Sequence, residues 1–218
     1  MNTGALVVFD LDGTISRHDT LLAYLTGFLS RYRARWPRAL LSAPALLGFV
    51  TGFVDRGQLK AALMKAVLGG CTRTVIDAWT ATFVTELLAR GVFADALAAI
   101  ATHRENADTL VLMSASPDLY VPEIGARLGF TETICTGVRW RGERLDGALA
   151  TANRQGAEKA RCFSALRGRY PQAATVAYGN SASDFDHLKL ADEALLINAS
   201  PALRRAAERA HFRCLCWR

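Results

Sequence analysis

Four short runs of unbroken apolar residues punctuate the chain: Ala5–Phe9 (ALVVF), Thr109–Met113 (TLVLM), Thr175–Tyr178 (TVAY) and Ala194–Ile197 (ALLI). Runs of this length, without polar alternation, predict strands buried on both faces, as in a parallel sheet covered by helices. The segments Ala94–His103, Leu119–Leu128, Ala157–Arg167 and Pro201–Ala210 read as the covering helices. Strands alternating with helices predict an α/β fold, a doubly wound and mainly parallel sheet.

The rhythm breaks between Asp19 and Arg90, where no credible strand appears. Leu59, Ala62, Leu63, Ala66 and Val67 recur at helical spacing, one apolar stripe with Lys60 and Lys65 outside it. Thr74 and Asp77 form a capping-box pattern, followed by Ile76, Trp79, Phe83 and Leu87 on one helical face. The expected organisation is a core of residues 1–18 and 91–218, with residues 19–90 inserted as an all-helical cap over the active edge of the sheet.

The chain has 218 residues, about half of them apolar (51%), so a continuous core is within reach. Its net charge of +6 suits anionic partners: a phosphorylated metabolite, a nucleic acid or an anionic membrane surface. No nucleic-acid recognition motif accompanies the charge, and no nucleic-acid partner is expected. Cys71, Cys135, Cys162, Cys214 and Cys216 form no CxxC pair and no zinc-type set, and they read as reduced thiols of a cytoplasmic protein. The start MNTGALVVFDLDG lacks the basic beginning of a secretion signal. His18, His103, His187 and His211 show no metal-ligand spacing.

The most informative stretch is FDLDGT at Phe9–Thr14. It sets two carboxylates, Asp10 and Asp12, where a buried strand ends, the place where ligands bind in open α/β sheets. Two acids crowded at a dry edge repel unless a cation neutralises them. A divalent metal plus a phosphate accounts for the pair: Asp10 attacks phosphorus and Asp12 protonates the leaving oxygen. Gly13 permits a sharp turn, and Thr14 offers a donor to a phosphate oxygen. Read alone, the same residues are an Asp-Gly turn.

Three weaker signals follow at later strand ends. SASP at Ser114–Pro117 offers the Ser114 hydroxyl, with Ser116 and Pro117 reading as the N-cap and first turn of the next helix. A helix starting there would aim free amides, together with Ala115 and Ser116, at an anion. Lys159 falls in the first turn of a predicted helix, against the dipole, and so needs an anionic partner. Asn180 and Asp184, in YGNSASDFDHL, are hard oxygen ligands of the kind magnesium prefers, although Ser181 and Asp184 also fit a capping box. Asp19, at the entry to the helical insertion, reads either as a substrate contact or as an N-cap.

In chain order, Asp10/Asp12, Ser114, Lys159 and Asn180/Asp184 resemble the four signature motifs of the haloacid dehalogenase superfamily. The helical insertion after the first motif, with SASP as the second, resembles the phosphoserine-phosphatase-like branch, subfamily IB. The resemblance implies a Mg2+-dependent phosphatase with Asp10 as nucleophile and metal ligand. It implies Asp12 as general acid/base, also binding metal through its carbonyl. Ser114 and Lys159 would hold the phosphoryl group, and Asn180 and Asp184 would complete the metal site. One departure stands out: the family's fourth motif usually reads GD where this chain has Gly179-Asn180, and an amide ligand carries one negative charge fewer.

No acid occurs between Asp19 and Asp55, while Arg31, Arg33, Arg35 and Arg38 cluster with Tyr32 and Trp36 and run into ALLSAPALLGFVTGFV. That apolar run is too short to span a bilayer, which needs ~20 residues. Residues 31–54 therefore read either as cap helices or as a peripheral contact at the inner membrane face. Phosphatidylglycerophosphate phosphatases of the same superfamily look similar here, including GCT at Gly70–Thr72. Three functions stay open: hydrolysis of a lipid headgroup phosphate, hydrolysis of a small soluble metabolite of the phosphoserine kind, and a non-catalytic binding module.

Overall fold

The structure, a computed structural model, describes residues 4–218. Chain order begins with β1 (Leu6–Phe9), followed by helices α1 (Thr20–Arg31), α2 (Trp36–Ala39), α3 (Ala43–Val50), α4 (Arg56–Leu68), α5 (Arg73–Arg90) and α6 (Ala94–Glu105). Next come β2 (Thr109–Pro117), α7 (Val121–Leu128), β3 (Glu132–Thr136), β4 (Val138–Arg141) and β5 (Arg144–Leu149). The chain closes with α8 (Ala157–Arg169), β6 (Thr175–Gly179), α9 (Phe185–Leu188), β7 (Glu193–Ile197), α10 (Pro201–Arg209) and β8 (Arg213–Leu215).

Six strands form one sheet in the order β3-β2-β1-β6-β7-β8, every neighbouring pair parallel. The apolar runs explain it. Val7 and Phe9 of β1, with Leu110 and Leu112 of β2, point into a core shared with α1, α4 and α5. Leu6 and Val8, with Val111 and Met113, point into a second core shared with α8 and α10. Both faces are covered, as unbroken apolar strands require. The chain runs from β1 to β2 and β3 on one side, then to β6, β7 and β8 on the other, a reversal that opens a crevice at the carboxyl ends of the strands.

Between β1 and β2 the described residues are helical, and local chemistry sets the boundaries. The carboxylate of Asp19 accepts from the Leu22 amide at 2.8 Å and caps α1. Asp55 and Gln58 form a full capping box at α4, a signal the sequence reading passed over. The stripe on α5 buries Ile76, Trp79 and Phe83 as the spacing predicts.

Several expectations need correction. Ser116 and Pro117 do not cap a helix: β2 continues through Pro117, which pairs with Thr136 of β3, and α7 starts only at Val121. The Ser116 hydroxyl is spent on the Asp12 carboxylate instead, at 2.7 Å. Thr74 and Asp77 form no capping box, because α5 begins two residues earlier than that pattern implies, at Arg73 behind Thr72, which makes no side-chain cap bond. On α4 the buried face is Met64, Ala66, Val67 and Leu68, while Leu59, Lys60 and Leu63 turn toward a cavity. Four strands beyond the expected set appear: β3, β8 and the antiparallel hairpin β4-β5, which packs on α4 with the Gly147 backbone against Lys65. No helix among the described residues is long and apolar enough to cross a membrane.

Candidate active site

β1 delivers Asp10 to the centre of the crevice, with its amide donating to the Tyr178 carbonyl of β6 at 3.0 Å. Beside it, the helical turn of α8 that carries Lys159 brings the ammonium between two acids. Lys159 Nζ donates to Asp10 Oδ1 at 2.6 Å and to Asp184 Oδ1 at 2.7 Å. All three residues are buried. The anionic partner that a first-turn lysine calls for is thus supplied by residues 149 and 25 positions away.

The two acids on this lysine differ in their other partners. Asp184 Oδ2 accepts from the Asn180 amide, the Ser181 amide and the Ser181 hydroxyl. Burial opposes the charge of Asp184, but the Lys159 ammonium and these donors outweigh it and hold the carboxyl well below the usual range. Asp10 has only the Thr14 hydroxyl besides Lys159, at 3.1 Å. Burial, with Asp184 and Asp12 adding repulsion, pushes the Asp10 carboxyl up to about 7 against the pull of Lys159. For Lys159, burial disfavours the charge, yet the Asp10 and Asp184 carboxylates override it and raise its pKa above the ordinary lysine value.

Gly13 adopts φ +77°, and a Cβ there would lie 1.9 Å from Asn180 Nδ2. The Asp-Gly turn therefore admits the Asn180 side chain because it lacks a side chain of its own. Asp12 turns toward the helical insertion: its Oδ1 accepts from the Thr20 amide and hydroxyl, each at 2.6 Å, and its Oδ2 from Ser116. Burial raises the Asp12 pKa.

A cavity of about 590 Å³ opens over this group, bordered by Asp10, Asp12, Gly13, Asp19, Ala115, Ser116, Lys159, Asn180 and Asp184. Eight of the candidate residues, spread over the chain, thus meet with Asp10 at one cavity. Ser114 and Thr14 do not border it. Both are fully buried, Ser114 accepting from the Ser116 amide at 3.0 Å and Thr14 supporting Asp10. Asp19 both caps α1 and reaches the cavity.

Other residues at the site escaped the sequence reading. Lys60, from α4, donates to the Ala115 carbonyl and, at 2.6 Å, to Asn153 Oδ1, tying the insertion to the sheet edge. Burial lowers its pKa to about 8, with Asp12 and Asp19 opposing. Arg17, Arg56 and Arg154 also line the cavity, and Leu21, Leu22, Leu25, Phe49, Leu59 and Leu63 give it an apolar wall. His187 is fully buried, 3.9 Å from Asp184 Oδ1, and burial keeps its ring neutral with a pKa near 3.

The donor chemistry suits a hard divalent cation. Asp10, Asp12 and Asp184 lie together on the floor of the cavity, and largely buried carboxylates this close repel one another unless cations join them. The side chains do not all converge, and no cluster of three His, Cys, Asp or Glu side chains gathers among the described residues. The oxygen ligands that could hold such a cation are the carboxylates of Asp10 and Asp184, the Asn180 side-chain oxygen and the Asp12 carbonyl.

Comparison with known proteins gives the chain its relatives. The chain is 32% identical over 192 residues to Protein CicA of Caulobacter vibrioides, spanning 86% of this chain and 83% of that protein. It is 27% identical over 207 residues to a probable phosphatase of Mycobacterium tuberculosis, spanning 91% and 70% of the two chains. A crystal structure of a protein of unknown function from Bordetella pertussis superposes with a TM-score of 0.84 at 20% identity, covering 98% of this chain and 99% of that one. Residues 7–189 match the family model of haloacid dehalogenase-like hydrolases, from the strand before Asp10 through the loop bearing Asn180 and Asp184, and the chain belongs to that family.

Proposed function

We propose that this protein is a magnesium-dependent phosphatase that carries the phosphoryl group of a phosphomonoester on Asp10. The observation that carries the reading is Lys159 bridging Asp10 and Asp184 inside the cavity, with Asn180 against Gly13. The kinship to a probable phosphatase at 27% identity supports it. In the first step an Asp10 oxygen bonds to phosphorus, the ester P–O bond breaks, and the leaving oxygen takes a proton from Asp12. In the second, Asp12 takes a proton from water as the water oxygen bonds to phosphorus. The acyl-phosphate bond breaks, and Asp10 is restored with release of inorganic phosphate. Burial that raises the Asp12 pKa favours the protonated form the first step needs.

Lys159 neutralises phosphoryl charge and orients Asp10, and Ser114 and Thr14 position the strand-end backbone around it. Gly13, Ala115 and Ser116 border the phosphoryl position, with Asp19 nearer the mouth. Asp10, Asp184, Asn180 and the Asp12 carbonyl would hold a magnesium ion, which would supply charge neutralisation at the phosphoryl oxygens. In this reading residues 19–90 are the cap and residues 1–18 and 91–218 the catalytic core, with Lys60 joining them.

The substrate we favour is a lipid headgroup phosphate, such as phosphatidylglycerophosphate. The apolar wall of Leu21, Leu22, Phe49 and Leu63 facing a polar floor fits an amphiphile. The cations Arg17, Arg56 and Arg154 at the same cavity favour a second reading, a small soluble phosphomonoester with a further anionic group, of the phosphoserine kind. Phosphate release from a panel of detergent-dispersed lipid and soluble monoesters, with and without magnesium, separates the two. Failure to hydrolyse any of them, aryl phosphates included, would leave a non-catalytic module.

A further inference from the structure

Exposed large apolar side chains are concentrated in one segment. Trp36, Leu40, Leu41, Leu46, Leu47, Phe49, Val50 and Phe53 lie outside the core, with Val50 82% and Phe53 88% exposed. Only Leu22 and Leu97 join them elsewhere among the described residues. A patch this concentrated marks an interaction surface, since soluble surfaces scatter such residues singly.

The segment is built to hold its shape. The amides of Phe53 and Val54 donate back to the Gly48 carbonyl at 2.8 and 3.0 Å. Gly52 adopts φ +82°, and a Cβ on Gly48 would meet Val54 Cγ2 at 2.5 Å. The end of α3 is thus folded back on itself, and Leu47, Val50 and Phe53 are displayed on a closed turn.

Charge identifies what covers this surface. No acid occurs between Asp19 and Asp55, and Arg38 stands between Trp36 and Leu40. Arg38 also borders a second cavity, of about 330 Å³, with Lys65, Arg141 and Arg144. Its one acid, Asp146, is shared between Arg139 and Arg141, so the cations around it outnumber it. A second copy of the chain would bring the same cations to an isologous contact and be repelled. A bilayer surface with anionic headgroups accepts both parts, the apolar side chains entering the acyl boundary and the cations meeting lipid phosphates. Helix α3, eight residues and so about 12 Å long, is long enough to lie in such an interface and too short to cross it.

We propose that the face formed by Trp36 to Phe53, with the adjoining Arg38–Lys65–Arg141–Arg144 cavity, docks the protein on an anionic lipid surface. Phe49 belongs to this face and to the wall of the Asp10 cavity, so docking sets the cavity mouth at the bilayer. That consequence, entry of an amphiphilic phosphomonoester from the membrane, rests on the phosphatase reading; the docking does not.

Flotation of the full chain with vesicles tests it, comparing phosphatidylcholine alone with phosphatidylcholine containing phosphatidylglycerol. The wild type is expected to float with the anionic vesicles and to be released by high salt. Leu47→Ser/Val50→Ser/Phe53→Ser weakens flotation at least tenfold, and Lys65→Glu/Arg141→Glu loses about fivefold per cation on anionic vesicles only. Unchanged melting and unchanged soluble aryl phosphate hydrolysis show that these variants fold. Equal flotation of the variants and the wild type would overturn the proposal. So would a wild-type dimer that the triple substitution dissociates, which would give the face to a second copy. Asp10→Asn keeps flotation, so loss of hydrolysis and loss of docking are read separately.

Discussion

Lys159 Nζ and Asp10 Oδ1 lie 2.6 Å apart, and both residues are buried at the floor of the cavity. In the proposed mechanism this ammonium balances the Asp10 carboxylate before phosphoryl transfer and the acyl phosphate after it. Lys159→Met removes it and leaves Asp10 and Asp184 facing each other unpaired. We expect kcat/KM for an aryl phosphate to fall a hundredfold or more, roughly the loss seen when a donor to developing charge is deleted. Breaking a buried pair also costs about 3–5 kcal/mol, so the variant should melt earlier. Steady-state kinetics and thermal unfolding check both, and an active, equally stable variant contradicts this role.

Gly13→Ala addresses the metal side of the site. The new methyl would overlap Asn180 Nδ2 and would sit at a positive φ, costing about 1–2 kcal/mol in backbone strain alone. Magnesium affinity, measured by titration of activity, should drop roughly ten- to a hundredfold, as expected when a ligand is displaced by its support.

Because burial holds the Asp10 carboxyl up near 7, a fraction of it is protonated at neutral pH. A cation needs the carboxylate, so magnesium binding at pH 6.5 should release protons and at pH 8.5 should not. Calorimetry in two buffers of different ionisation enthalpy reads the release directly, and Asp10→Asn should abolish it.

Lys60 loses its charge as pH rises through about 8. KM for an anionic substrate should increase above that pH in the wild type, and should be already raised and flat with pH in Lys60→Met. The stability effect runs the other way. The unfolded chain keeps this proton up to the ordinary lysine pKa, so between about pH 8 and 10.5 the unfolded state binds more protons and the contribution of Lys60 to stability rises.

The sheet centre was legible because β1, β2, β6 and β7 each carry a run of consecutive apolar residues, and double-sided burial leaves that trace in one dimension. The edges were not. β3 (ETICT) is half-buried, β8 is three residues long, and the hairpin strands carry Arg139, Arg141 and Arg144 outward, so their pairing partners and not their own composition define them. Asp10, Asp12, Lys159, Asn180 and Asp184 stand out in the sequence because each lies at a strand end or helix start, where short motifs keep their spacing, and the structure brings them to one cavity. Ser116 was misread because its hydroxyl partner, Asp12, is 104 positions away. Lys60 looked like a solvated lysine beside an apolar stripe, since nothing near it in sequence announces Asn153, 93 positions on.

The most direct measurement is to quench the enzyme in acid during turnover of a phosphomonoester with magnesium and map the modified peptide by mass spectrometry. We predict one phosphoryl group on Asp10, removed by hydroxylamine and absent from Asp10→Asn. Full hydrolytic activity in Asp10→Asn, or a phosphoryl group on any other side chain, would contradict the account.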